Sequence, residues 1–148
     1  MKKKIIVLWF IVFAFGSCFA GNNVNQKEAA YGVIKRLIPD RAEKFIIELL
    51  PKDSSDVFEI ESQKDKIILR GTSGVEIISA LNWYLKYYCN CHISWCGNNL
   101  NLPKTLPMVQ KKIRKTSPYK YRYCFNYCTF SYTMAFWNWE RWEKEIDW

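Results

Sequence analysis

Cysteine and histidine are the residue types whose spacing in this 148-residue chain first suggests chemistry. Cys89, Cys91 and His92 are sequence neighbours, and thiolates and imidazoles are the ligands that Zn²⁺ prefers. A structural zinc site needs two such ligand pairs, and no second pair with suitable spacing follows. We therefore predict no metal site. Cys89 and Cys91 are too close to pair easily with each other, which leaves disulfides to other cysteines or buried free thiols as alternatives.

Carboxyl groups are the second candidates for chemistry, and they are unevenly distributed along the chain. Residues 77–139 contain no Asp or Glu. The late acids lie in a predicted helix, where Glu140 precedes Lys144 and Arg141 precedes Glu145 by four positions. That spacing is typical of ordinary surface ion pairs. The second half of the chain therefore offers no candidate pair of carboxyl groups for acid–base catalysis.

Aromatic residues are concentrated at the end of the chain, in "YRYCFNYCTFSYTMAFWNWERWEKEIDW" (121–148). The alternation in 119–128 predicts a strand, and a helix is predicted from Ala135 to Trp148. One strand and one helix cannot bury this many rings. We therefore expect an apolar surface that needs a partner, to which four tryptophans contribute: Trp137, Trp139, Trp142 and Trp148.

Upstream of this aromatic region, hydrophobic periodicity predicts a small α/β layer with one helix face packed on a sheet. Residues 25–38 are predicted to form a helix that Pro39 ends. Residues 41–51 fit either a helix or a strand. The alternation in 57–61 and the run 67–71 predict the two strands of a hairpin.

A second upstream helix is predicted to begin after Ser73, because Ser73 and Glu76 have the spacing of a capping box. The predicted apolar stripe consists of Val75, Ile78, Leu81, Leu85 and Tyr88. A strand is predicted at 92–95. Residues 97–119 are rich in Asn, Pro and Lys and mark a domain boundary, within which "MVQKKIRKT" (108–116) is predicted to add one edge strand.

The first 20 residues predict an export signal. Lys2, Lys3 and Lys4 precede the apolar run from Ile5 to Phe15, which is shorter than the roughly 20 residues of a membrane-spanning helix. Cleavage after Ala20 is one alternative. The other is lipoprotein processing, which would leave Cys18 lipidated and the protein membrane-anchored. Both alternatives place the protein outside the cytoplasm, either periplasmic or secreted.

The chain is basic, with a formal net charge of +8. Its basic residues from Lys104 to Arg122 form a run with no acid among them. No nucleic-acid-binding motif accompanies this run, and an exported protein rarely meets nucleic acid. We therefore predict no nucleic-acid partner and interpret the run as a solvated face of a linker.

Four motifs occur in a fixed order along the chain: RG-[ST]-[ST]-GV, C-x-CH-x-x-W, YRY-x-x-N-x-CT-x-SY and W-x-W-x-RWE-x-EIDW. In this combination, residues 69–107 resemble the N-terminal domain of glycoside hydrolase family 89, the α-N-acetylglucosaminidases. Residues 121–148 resemble the opening of the catalytic domain of that family. The resemblance covers roughly residues 27–148 and is densest from residue 69 onward.

The resemblance implies a small α/β domain, then a (β/α)8 barrel, then an all-helical domain. We therefore expect a signal peptide at 1–20, an N-terminal α/β domain at 21–115, and the start of an incomplete barrel at 116–148. By this analogy 121–128 is the first barrel strand and 137–148 the first barrel helix.

The resemblance also implies a sugar subsite, because active sites of such barrels lie at the carboxyl ends of the strands. Positions matching Asn126, Cys128 and Tyr132 line the N-acetylglucosamine subsite in the family. Asn can donate to and accept from sugar hydroxyls, Tyr offers an apolar face with a hydroxyl, and Cys128 would be a small wall. The alternatives are that Asn126 caps a turn, that Cys128 is a core thiol and that Tyr132 takes part in helix packing. Trp137 and Trp139 could stack on sugar, but their spacing favours packing.

The implied activity is removal of terminal α-linked N-acetylglucosamine with retention, which uses two carboxyl groups about 5 Å apart. Both catalytic glutamates of the family come from later strands, so we predict no catalytic residue in this chain. The mechanism requires no metal or organic cofactor, and the expected partner is a glycan with terminal N-acetylglucosamine. The alternative function is a non-catalytic carbohydrate-binding or remnant module derived from the family.

Overall fold

The computed structural model describes residues 25–51, 54–94, 96–121 and 134–147. The helices are α1 (Gln26–Leu37), α2 (Gly74–Tyr88) and α3 (Trp139–Asp147), with a 3-10 helix at Pro39–Lys44. The strands are β1 (Phe45–Leu49), β2 (Val57–Gln63), β3 (Lys66–Gly71), β4 (His92–Ser94), β5 (Gly97–Asn99) and β6 (Ile113–Thr116). Helices α1 and α2 pack against a four-stranded mixed sheet, which confirms the predicted α/β class.

The main sheet has the strand order β1-β3-β2-β6. Strands β2 and β3 form the predicted hairpin, and β6 pairs with β2 as the predicted edge strand. Strand β1 runs parallel to β3 on the opposite side. The ambiguous segment 41–51 divides into the end of the 3-10 helix and strand β1.

Helix α1 agrees with the predicted helix at 25–38. Asn25 caps its start, because the Asn25 side chain accepts a hydrogen bond from the Lys27 amide. Ala30 and Ile34 are buried and belong to the core that α1, α2 and the sheet share. Helix α1 thus lies beside α2 on the same layer.

Helix α2 begins where the capping box predicted, but its buried face differs from the predicted stripe. Ser73 accepts a hydrogen bond from the Val75 amide and contacts the Glu76 carboxylate. Val75 is nevertheless 64% exposed, and Ile78 and Tyr88 are only half-buried. Apolar residues occupy most sides of this helix, so periodicity could not choose between adjacent stripes. The fully buried apolar residues are Ile77, Ala80, Leu81, Tyr84 and Leu85.

The strand predicted at 92–95 is present as β4, but it does not join the main sheet. It pairs with β5 in a separate two-stranded ribbon. A side-chain hydrogen bond joins the two strands at their short connection: the Ser94 hydroxyl donates to the Gly97 carbonyl at 2.7 Å. On the side of β2 away from β3, the neighbouring strand is β6 and not β4. Strand β6 comes from the segment predicted to be a boundary.

Tyr84 connects that boundary segment to the core. Its ring packs edge-on against Phe45, and its hydroxyl donates to the Pro107 carbonyl at 2.7 Å. Burial raises the pKa of the Tyr84 hydroxyl above its ordinary value, so the group remains a proton donor to this carbonyl. The Pro-rich stretch before β6 is therefore hydrogen-bonded to α2 through Tyr84, whose ring packs against the sheet.

Gly71 lies where the end of β3 meets the first turn of α2. A Cβ atom at this position would come within 2.6 Å of the Ile77 backbone nitrogen and 2.8 Å of the Glu76 backbone carbon. These backbone atoms can make room for a Cβ atom only if the helix shifts. The glycine of the "RGTSGV" motif is thus required by packing between strand and helix.

We predict that Gly71→Ala lowers the free energy of unfolding by about 2 kcal/mol, because overpacking forces the backbone apart. Gly32→Ala is the matched control, since the added Cβ there would meet a side-chain atom, Arg36 Nη1 at 3.3 Å, and no backbone atom. Gly32 lies inside α1, where alanine is favoured by about 0.5–1 kcal/mol. Urea denaturation measures both changes, and equal effects of the two substitutions would contradict this account.

Candidate functional site

The three predicted sugar-contacting residues, Asn126, Cys128 and Tyr132, lie outside the described residues. The predicted first barrel strand, 121–128, lies outside them except for Tyr121. What the structure describes is the chain on either side: β6 and residues 117–121 before this segment, and residues 134–147 after it. These flanking elements determine how the predicted site is attached to the α/β domain.

Helix α3 begins later than predicted, at Trp139 instead of Ala135. The Asn138 side chain accepts a hydrogen bond from the Arg141 amide at 3.0 Å and so caps the helix. Trp137 packs edge-on against Trp142, with Arg141 over its ring, as the packing alternative predicted. Trp139 does not pack in this way, because it is 69% exposed.

The acids of α3 contact another helix. Arg36 of α1 donates from Nε to Asp147 Oδ2 and from Nη2 to Asp147 Oδ1, each at 2.6 Å. Arg36 Nη1 also lies 4.0 Å from Glu143 Oε1. The late acids were expected to form surface pairs within their own helix. Sequence patterns did not reveal this contact, since 111 positions separate Arg36 from Asp147.

Two cavities lie on either side of this ion pair. A groove of about 590 Å³ runs between α1 and α2, with apolar walls that include Val33 and Ile78, and Ile146 of α3 lines part of it. A crevice of about 310 Å³ lies between α3 and the β4–β5 ribbon. Glu140 and Glu143 line the crevice together with Arg36 and Arg141, and Glu143 lies 4.0 Å from Arg36.

A row of alternating charges crosses the face of the sheet opposite the helices. In register across β1, β3, β2 and β6 stand Glu48, Arg70, Glu59 and Arg114. Arg70 Nε donates to Glu48 at 2.5 Å, and its Nη2 lies 2.7 Å from Glu61. Each carboxylate of this row thus faces a cation on the neighbouring strand.

Glu59 is the buried member of the row, with a side chain that is 6% exposed. Lys112 lies 2.7 Å from Glu59 Oε2, and Arg114 donates to Oε1 at 2.5 Å. Burial raises the pKa of Glu59, but hydrogen bonds and charge attraction from these two cations outweigh it and leave the pKa below its ordinary value. Glu59 is therefore an ionised carboxylate at neutral pH and cannot serve as a general acid.

The sequence predicted that the basic run from Lys104 to Arg122 is a solvated face. The structure shows that some of its residues also have structural contacts. Lys112 and Arg114 neutralise Glu59, and Lys115 lies over the Trp83 ring at 5.0 Å from its centroid. Strand β6 and the residue before it thus supply the two cations nearest to Glu59 of β2.

Cys89, Cys91 and Cys96 are free thiols, and the first two are buried. This confirms the buried-thiol alternative for Cys89 and Cys91. Burial raises the pKa of Cys89 to about 11 and also raises the pKa of Cys91. Both remain protonated at neutral pH, which makes them poor nucleophiles and poor metal ligands.

The part of the chain that the structure describes contains no cluster of three side chains able to hold a metal ion. Among its helices, none combines the length and apolar character of a membrane span. The described geometry therefore consists of a sheet with neutralised carboxylates, a buried thiol pair, and a charged contact between α1 and α3.

Comparison with known families gives two adjoining matches. Residues 28–108 match the alpha-N-acetylglucosaminidase N-terminal domain, and residues 122–148 match the tim-barrel domain of the same protein. The human alpha-N-acetylglucosaminidase is 35% identical over 135 residues, which is 87% of this chain and 18% of the human protein. The chain thus spans less than a fifth of the length of this relative.

Solved structures give the same relationship. A family 89 glycoside hydrolase from Clostridium perfringens, in complex with 2-acetamido-1,2-dideoxynojirmycin, is 36% identical with a TM-score of 0.79. The match covers 83% of this chain and 14% of that one. A variant of the same hydrolase with two glutamates replaced by glutamine, in complex with its substrate GlcNAc-alpha-1,4-galactose, matches equally well.

We predict that Lys112→Met combined with Arg114→Met lowers the free energy of unfolding at pH 7 by about 3 kcal/mol, because it removes both cations that lie within hydrogen-bond distance of the buried Glu59 carboxylate and leaves it with Arg70 Nη1 at 4.0 Å. Equilibrium urea denaturation measures the change. Lys104→Met combined with Lys111→Met is the matched control, since these exposed lysines of the same run form no ion pair within the described residues.

The loss should depend on pH with a defined sign. In the native chain the pKa of Glu59 lies below 4.5, so its stabilising contribution is complete above pH 4.5 and disappears as pH falls through the lower folded value. The difference between the native chain and the double variant should therefore shrink in acid. A difference that grows as pH falls below 4.5 would contradict the assignment.

Proposed function

The chain belongs to the alpha-N-acetylglucosaminidase family, and we propose that it is the N-terminal part of an exported retaining glycoside hydrolase. The observation that carries the proposal is the order of the two matches: an N-terminal domain over 28–108, then the beginning of a barrel domain over 122–148. The described sheet and helices have the same fold as the solved family 89 enzyme over that length.

The proposed substrates are glycans that end in α-linked N-acetylglucosamine. The Clostridium perfringens hydrolase is solved with GlcNAc-alpha-1,4-galactose as its substrate, which supports this class. A retaining mechanism forms and then hydrolyses a glycosyl–enzyme intermediate with two carboxyl groups, and it needs no metal or organic cofactor.

We assign the rim of the sugar subsite to Asn126, Cys128 and Tyr132. The Asn126 amide would both donate to and accept from adjacent sugar hydroxyls, and Tyr132 would give an apolar face and a hydroxyl. Cys128 would form a small wall beside them. The support is the match of 122–148 to the barrel domain, which includes all three residues.

The catalytic carboxyl groups are proposed to lie outside this chain. Residues 77–139 hold no acid, Glu59 is held ionised by two cations, and Glu143 and Asp147 contact Arg36. A retaining enzyme needs one carboxyl group poised to donate a proton at working pH. None of these three carboxylates is arranged to do so.

The proposed location is outside the cytoplasm, periplasmic or secreted, on the strength of the basic and apolar residues from Lys2 to Phe15. Cleavage after Ala20 would release the protein, whereas lipidation of Cys18 would anchor it to a membrane. The intact mass of the mature protein decides between the two, because a lipid adds mass that simple cleavage does not.

The purified 148-residue chain is expected to show no hydrolysis of an aryl α-N-acetylglucosaminide. The product of the complete reading frame is expected to hydrolyse it, with two further glutamates in the part that follows residue 148. Turnover by the 148-residue chain alone would contradict the assignment of the carboxyl groups. A stop codon directly after Trp148 would contradict the hydrolase proposal and leave a non-catalytic module of the family.

The sugar subsite is tested in the same active protein by Asn126→Ala, which should raise KM about tenfold or more because sugar hydroxyls lose their partner. Asn101→Ala is the matched control, since Asn101 is exposed in the segment between β5 and β6. An unchanged KM in the first variant would remove Asn126 from the subsite.

A further inference from the structure

Helix α3 is attached to the α/β domain with little apolar burial. None of its residues is buried, and Trp139 and Ile146 are 69% and 67% exposed. Hydrophobic burial is the usual source of helix attachment, and its contribution here is small. Among the described residues, the contacts that can hold α3 in place are therefore mainly polar.

Within the described residues, α3 contacts α1 through the pair between Arg36 and Asp147. It is bidentate, with two parallel hydrogen bonds of 2.6 Å. The Asp147 side chain is only 11% exposed, so water screens this pair less than an ordinary surface pair. Charged hydrogen bonds and charge attraction from Asp147 raise the pKa of Arg36, which remains fully protonated.

The position of Arg36 also matters for the dipole of α1. Arg36 lies in the last turn of α1, beside Lys35, where a cation compensates the partial negative charge of the helix C-terminus. Glu143 adds a second carboxylate of α3, 4.0 Å from the guanidinium. Arg36 thus faces the end of α1 and two carboxylates of α3.

We propose that Arg36 is the residue that fixes α3 on the α/β domain and so joins this domain to the one that begins in 122–148. The C-terminal end of α1, with the neighbouring α1–α2 groove, is the docking surface, and its occupant is α3, with Asp147 and Glu143 facing Arg36. This inference concerns the attachment of the two domains and does not depend on the proposed hydrolase activity.

The test is amide hydrogen exchange on the 148-residue chain and its variants. Arg36→Gln should raise exchange rates of the α3 amides roughly tenfold, since the bidentate pair with Asp147 is lost. Asp147→Asn should have a similar effect. The double variant should add nothing further, because the two side chains act as one interaction. Arg36→Lys should keep more of the protection than Arg36→Gln does, since it keeps the positive charge but loses the bidentate hydrogen bonds of the guanidinium.

The matched control is Lys44→Gln, which removes an ion pair of similar length, 2.7 Å from Asp65, away from α3. It should leave the α3 amides unchanged, and the amides of β2 and β3 should keep their rates in the Arg36 and Asp147 variants. Three results would overturn the proposal: unprotected α3 amides in the native chain, unchanged α3 rates in Arg36→Gln, or additive effects in the double variant. Inactivity of the complete protein toward glycans would affect the proposed function and not this result.

Discussion

The buried carboxylate of Glu59 imposes the constraint on which the α/β domain depends. A carboxylate removed from water is costly unless cations and hydrogen bonds surround it, and here Arg114 of the edge strand and Lys112 directly before that strand do so. Neighbouring positions on β2 point alternately to the core and to the opposite face, and Ile60 is fully buried in the core. A one-residue slip would bring Glu59 into that core and Ile60 out of it. The ion row therefore fixes the register of β2 with both of its neighbours.

This constraint explains why residues with chemical character have structural roles in the described part of the chain. Arg70 joins carboxylates on two strands, Gly71 lets β3 approach α2, and Ser73 caps that helix. The acids of α3 likewise face Arg36. In the described part of the α/β domain these residues thus have structural roles. The proposed chemistry belongs to the barrel domain that residues 122–148 begin.

Local features of this fold were predictable from sequence, because caps, prolines and alternation act over a few residues. Helix α1, the β2–β3 hairpin, the start of α2 and the edge strand β6 all follow from such signals. The buried face of α2 was predicted wrongly, since apolar residues occupy most sides of that helix and its packing against α1 and the sheet decides which side is buried.

Long-range pairs were not predictable in this way. Nothing in the local sequence links Arg36 to Asp147 or Glu59 to Arg114, because such pairs depend on how distant elements come together. The candidate site rests on motif resemblance alone: Asn126, Cys128 and Tyr132 lie outside the described residues, so their roles remain predictions.

The most direct test of this account is the titration of the Glu59 side-chain carboxyl by ¹³C nuclear magnetic resonance, with assignment by Glu59→Gln. We expect the native carboxyl to titrate below 4.5, as an ionised member of the charge row. A pKa near 6 would show a carboxyl group that the cations do not stabilise and that could act as a general acid. That result would contradict the structural role of Glu59 and bring proton transfer into this domain.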